Sequence, residues 1–239
     1  MGAGVVVLRE GFEASLVVGI VLAFLDRTGR RDGFAAVWIG VGAALALSLL
    51  VGVALFAAGA ELEGRSEAIF EGVVMITAAG LLTWMIFWMR NRARTLRKEI
   101  EGRTQAALDA GSAVGLALVV FIGVAREGVE TALFLFSSVE GSSSIVSLVA
   151  ALIGGAAAVG LGYAFYRGSH RLNLRAFFSV TSVLLLLFAG FLLASGLHEL
   201  AEAGVIPESE LLLVGAFAAL ATPTLYFFFR KPKAAAATA

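Results

Sequence analysis

The stretch VVVLREGFEASLVVGIVLAF, residues 5–24, reads as a membrane-spanning helix with three charges in its middle, and LVVFIGVAREGVETALFLF, residues 118–136, repeats that arrangement. Both contain the pentad Arg-Glu-Gly-x-Glu, as Arg9-Glu10-Gly11-Phe12-Glu13 and Arg126-Glu127-Gly128-Val129-Glu130, 117 residues apart. A charged side chain at the centre of a bilayer helix costs about 2.5 to 3.5 kcal/mol on insertion scales. Six such groups in two identical patterns call for a function, and a cation pathway is the reading that uses them.

Composition leads to the same class: 59% of residues are hydrophobic, 15% are charged and mean hydropathy is +0.93. The formal net charge of zero argues against a nucleic-acid partner, whose phosphates need a basic surplus. Without cysteine there is neither a disulfide nor a thiolate metal site. The first apolar run is not read as a signal peptide, because Arg9, Glu10 and Glu13 stand where an apolar core belongs and further spans follow.

A span takes about 20 apolar residues. Seven such runs are expected, at 3–25, 34–58, 68–89, 113–136, 145–166, 176–197 and 211–229. The expected fold is thus an all-α integral membrane protein with one transmembrane domain, 1–239. Residues 1–110 form a first three-helix repeat, 111–200 a second, and 201–239 the seventh helix and tail. Basic residues gather in cytoplasmic loops, and 15 of the 18 fall on one side of this scheme, at 27–31, 90–103, 167–175 and 230–233. The N-terminus is therefore expected outside and the C-terminus inside. The opposite loops carry Glu61, Glu63, Glu67, Glu140, Glu199, Glu202, Glu208 and Glu210, either as a mouth that concentrates cations or as ordinary solvated carboxylates. Trp38, Trp84, Trp88, Tyr163, Tyr166 and Tyr226 fall near cytoplasmic ends, as interfacial anchors do.

In this scheme spans one and four run in opposite directions, so the chain is a 3+3 inverted repeat plus a seventh helix, and the two pentads can meet at the repeat interface. Each pentad sets its glutamates at i, i+3 and its arginine at i, i+4 from the second glutamate. Gly11 and Gly128 leave room for a facing helix or an ion. A buried Arg–Glu pair that pins helix register is the structural alternative, but it needs one carboxylate per arginine and each motif has two. Glu10, Glu13, Glu127 and Glu130 with Arg9 and Arg126 sum to minus two when ionised, a charge that a multivalent cation balances. Carboxylates suit hard cations. Glu71 and the pair His198-Glu199 are further pathway candidates, with helix capping and an interfacial position as their structural alternatives.

These residues resemble the oxidase-dependent iron permeases, which include the fungal high-affinity iron permease and its bacterial Efe-type counterpart. The resemblance rests on both pentads, on Leu82-Thr83-Trp84-Met85 with Phe87-Trp88-Met89-Arg90, on Arg171-Leu172-Asn173-Leu174 with Phe177-Phe178, and on His198-Glu199. It implies a permease, not an enzyme, that imports iron across the cytoplasmic membrane, with Glu10, Glu13, Glu127 and Glu130 as ferric-iron ligands and no permanently bound cofactor. It also implies an extracytoplasmic oxidase, peroxidase or iron-binding protein as partner. The segment between spans six and seven is shorter than the family's pattern. Carboxylates alone discriminate poorly, so manganese or lead is an alternative cargo. An intramembrane carboxylate metal enzyme is a further alternative, although the Glu-x-x-His spacing of helical diiron sites is absent.

Overall fold

The computed structural model describes residues 2–92, 96–139, 144–167 and 174–207, with single helical positions at 215, 218 and 222. The expected seventh span at 211–229 otherwise lies outside the described residues, as do Arg94, Glu140, Arg171, Glu208, Glu210, Tyr226 and the tail. Among the described residues there is no strand. The helices are α1 (Gly2–Arg27), α2 (Phe34–Ala60), α3 (Arg65–Arg92), α4 (Leu96–Asp109), α5 (Ala113–Val139), α6 (Ser144–Tyr166) and α7 (Leu174–Glu202). A 3-10 turn at Arg31–Gly33 precedes α2. Gly29, at φ +71°, ends α1 by taking the left-handed conformation while the Arg30 N–H donates to the Leu25 carbonyl at 2.9 Å.

Among the described residues four helices, α2, α3, α6 and α7, are long and apolar enough to cross a membrane. The pentad helices α1 and α5 fall outside that set, because each carries three charges close together. Burial runs the other way. Only 11% of the apolar core of α2 and 22% of that of α6 is buried, whereas α1 buries Arg9, Glu10 and Glu13 with ten further residues. The charged helices thus occupy the inside of the bundle, and the most apolar ones surround them.

The packing has a regular plan. α1 lies chiefly on α6, α2 on α5, α3 on α7, and α1 meets α5. Exchanging α1, α2 and α3 with α5, α6 and α7 leaves this set of pairs unchanged. Gly4 is near Ala150, Gly11 near Ala158 and Gly19 near Gly162, so α1 and α6 run parallel. Gly40 with Ala117, Gly52 with Ala132 and Gly59 with Phe136 make α2 and α5 parallel in the same way. Gly72 against Leu200 and Ile76 against Gly196 make α3 and α7 antiparallel.

The connector expected over 90–112 contains a helix. α4 is polar, but Ile100, Thr104 and Ala107 share one buried face that packs on α1 and α5. On its outer face Arg103 donates to Glu99 at 2.7 Å, and Glu101 accepts from Arg97 at 3.0 Å and from Arg27 of α1 at 2.7 Å. Burial pushes the Glu101 carboxyl up, but the bonds from Arg97 and Arg27 outweigh it and hold the group below its ordinary value. This pairing is therefore present at neutral pH and is lost as pH falls through that lowered value.

Candidate metal site

α1 and α5 cross antiparallel: Gly123 sits against Val17, and Glu10 faces Glu127 and Glu130. One carboxylate oxygen from each of Glu10, Glu127 and Glu130 lies within 4.8 Å of the other two. The centre of such a triangle is at most about 2.8 Å from each corner, so a contraction of under about 1 Å reaches the ~2.0 to 2.2 Å of a carboxylate–metal bond. Glu10 is fully buried, Glu127 is buried and Glu130 is half-buried. Both oxygens of Glu10 and one each of Glu127 and Glu130 have no hydrogen-bond partner among the described residues. Buried polar atoms are normally satisfied, and a cation between these carboxylates does so for several at once.

Of the four pentad glutamates, Glu13 stands outside this triangle. Its Oε1 is 3.2 Å from Arg9 Nε, the i, i+4 contact of the first pentad. In the second pentad Arg126 Nε donates to Glu130 Oε1 at 3.0 Å and lies 3.9 Å from Glu127 Oε1. The environments of the two arginines differ: the Arg9 side chain is 0% exposed and that of Arg126 32%. Phe12 of the first pentad packs edge-on against Phe177 of α7 with ring centroids 4.7 Å apart, and Phe178 lies 6.0 Å away. Val129, at the matching place in the second pentad, is only partly buried.

The pentad glycines serve helix contact. A Cβ on Gly11 would come within 3.0 Å of the Ala158 Cβ, and one on Gly128 would meet Ser48, 2.8 Å from its Cβ. Ser48 is the one hydroxyl in an otherwise apolar α2 and donates to the Ala44 carbonyl at 2.8 Å. That lone hydroxyl was the sequence signal for its place beside the second pentad. Gly128→Ala is expected to cost about 1 to 3 kcal/mol through overpacking. Thermal unfolding in detergent checks this, and Ser48→Gly should restore part of the loss.

The other candidates lie elsewhere. Glu71 is buried on α3, one residue from the Gly72 contact with α7. His198 Nε2 is 3.2 Å from Glu202 Oε1 with both side chains about half exposed, and Glu199 is partly buried beside it. None of the three belongs to the carboxylate triangle. Chemically, the triangle offers hard oxygen donors, with guanidinium groups at its edge limiting the negative charge.

The iron permease FTR1 family model matches residues 1–222. The chain is 38% identical over 223 residues to the ferrous iron permease EfeU of Escherichia coli O6:H1, an alignment covering 92% of this chain and 81% of that one. It is 36% identical over 202 residues to the ferrous iron permease EfeU of Yersinia pestis, covering 84% and 72%. No solved structure matches the chain.

Proposed function

This chain belongs to the iron permease FTR1 family, and from that premise we propose that it imports iron across the cytoplasmic membrane through the pentad site. The observation that carries the reading is the convergence of Glu10, Glu127 and Glu130, from two antiparallel helices, to within 4.8 Å of one another inside the bundle. Glu10, Glu127 and Glu130 bind the ion, and Glu13 joins them as a fourth ligand when the helices shift. Arg9 and Arg126 orient the carboxylates. Glu71 and the His198–Glu199 end of α7 belong to the approach route.

The exchange-invariant helix pairing supports a 3+3 inverted repeat, with α1 to α3 and α5 to α7 as its halves and residues 211–229 as a seventh span. The loop charges favour an outside N-terminus and an inside C-terminus. Ferric iron is the proposed form at the site, since an all-carboxylate donor set favours the harder ion. It would be supplied by an extracytoplasmic oxidase, peroxidase or iron-binding protein. One observation favours ferrous iron instead: four ionised glutamates and two arginines leave two negative charges, which a divalent ion neutralises.

The test is radioactive iron uptake into proteoliposomes holding the full chain, with iron presented separately as Fe(II) and as chelated Fe(III). Uptake of one form identifies the species accepted, and uptake of neither removes the reading. Manganese and lead, added as competitors, are expected to slow uptake less than unlabelled iron does. Equal competition would make this a general carrier of hard or borderline metal ions.

A further inference from the structure

Toward α4, the two pentad helices are joined by a layer of apolar side chains. Val17, Val21 and Leu25 of α1 pack with Leu116, Val120 and Val124 of α5, all of them buried. From Glu10 to Leu25 the helix rises about 22 Å. A cation cannot cross such packing without a large desolvation cost, so passage in this direction requires α1 and α5 to part.

α4 lies across that end and touches both helices. Its Ile100 and Ala107 are buried in the same apolar cluster, and Leu96 and Leu108 pack against it. Its charged link to α1 is Glu101, which holds Arg27 at 2.7 Å while Arg97 braces the same oxygen at 3.0 Å. The neighbouring charges are engaged elsewhere, Arg31 with Asp26 and Arg103 with Glu99. α4 also stands outside the exchange that relates α1 to α3 with α5 to α7, so it serves something other than the repeat.

We propose that α4 is a strap that closes this end of the pentad site, and that the Glu101–Arg27 pair is the latch that seats it. While the latch holds, α1 and α5 stay packed through Val21 and Val120. When it opens, the apolar layer loosens and the site gains access to the α4 side. The closure depends on the transport reading only for what passes through it.

The chain has no cysteine, so single cysteines report accessibility without background. In full-length protein in lipid nanodiscs, a water-soluble maleimide should label Val21→Cys slowly and Ala106→Cys, on the exposed face of α4, quickly. Adding Glu101→Gln should speed labelling of Val21→Cys by up to about fivefold, the upper end of what a partly exposed ion pair commands. Because Arg97 also holds Glu101, the charge reversal needs all three positions, and R27E/R97E/E101R should return it to the original rate. The same comparison at Val120→Cys guards against a local defect at position 21. Unchanged rates at both sites with Glu101→Gln, or an acceleration that the threefold charge reversal does not undo, overturn the strap. If labelling responds as expected while the unmodified chain takes up no iron, the strap stands and the transport reading falls.

Discussion

Glu127→Ala is expected to lower iron uptake at least about 100-fold while leaving the protein folded and inserted, and Glu10→Ala to do the same. Loss of an outer-shell partner already costs about 10- to 100-fold in metal affinity, and these two carboxylates occupy corners of the triangle itself. Removing a buried carboxylate that has an unsatisfied oxygen also relieves a desolvation cost, so neither substitution should unfold the bundle. Glu13→Ala separates the direct ligands from a fourth that joins later. Its expected loss is smaller, because Glu13 is held by Arg9 outside the triangle. Uptake and equilibrium iron binding, measured on the same four preparations, check this order. Normal uptake in both Glu10→Ala and Glu127→Ala would sink the site.

The second large effect is on stability and is unequal between the two pentads. Arg9→Ala leaves the buried Glu10 and Glu13 without the first pentad's guanidinium, and breaking a buried pair in this way costs about 3 to 5 kcal/mol. Arg126→Ala should cost less, since its side chain is about one-third exposed and water can take over part of its role. The measurement is the thermal unfolding midpoint in detergent for the two variants side by side. Equal midpoints would mean that the difference in burial has no energetic weight. Arg9→Lys keeps the charge but loses the planar fork, and should unfold between Arg9→Ala and the unmodified protein.

Much of the helical plan was legible because apolar runs bounded by charged connectors are a strong signal. The expected spans at 34–58, 113–136 and 145–166 lie within a few residues of α2, α5 and α6. The largest difference is at a polar end: α7 continues to Glu202, past the expected end at 197, where helical hydrogen bonding outlasts the apolar stretch that hydropathy detects. α4 escaped a reading based on hydropathy for the same reason. Its signal was the spacing of Leu96, Ile100, Thr104 and Ala107 within a run of charges.

At the site, two pentads on oppositely directed spans lead to the expectation that they meet. What the motif does not disclose is how its two copies differ, because the difference is imposed by neighbours. α7 brings Phe177 and Phe178 against Phe12, whereas the second pentad has Ser48 of α2 against its glycine. Pentads with the same charges, differing only in Phe12 against Val129, therefore carry one sealed arginine and one partly open one.

The crossed packing of the halves has a consequence for how the protein is made. α1 has thirteen Val, Leu, Ile and Phe residues, which favour insertion by roughly 4 to 8 kcal/mol in total, against roughly 8 to 10 kcal/mol for the three pentad charges at its middle. Alone it is a poor span. Its principal packing partner, α6, lies in the other half of the chain, and α5 in turn leans on α2. During synthesis the first pentad must wait uncovered until more than a hundred further residues have emerged, so neither half can complete its own interior. Each half of the chain therefore supplies the packing surface that the other lacks.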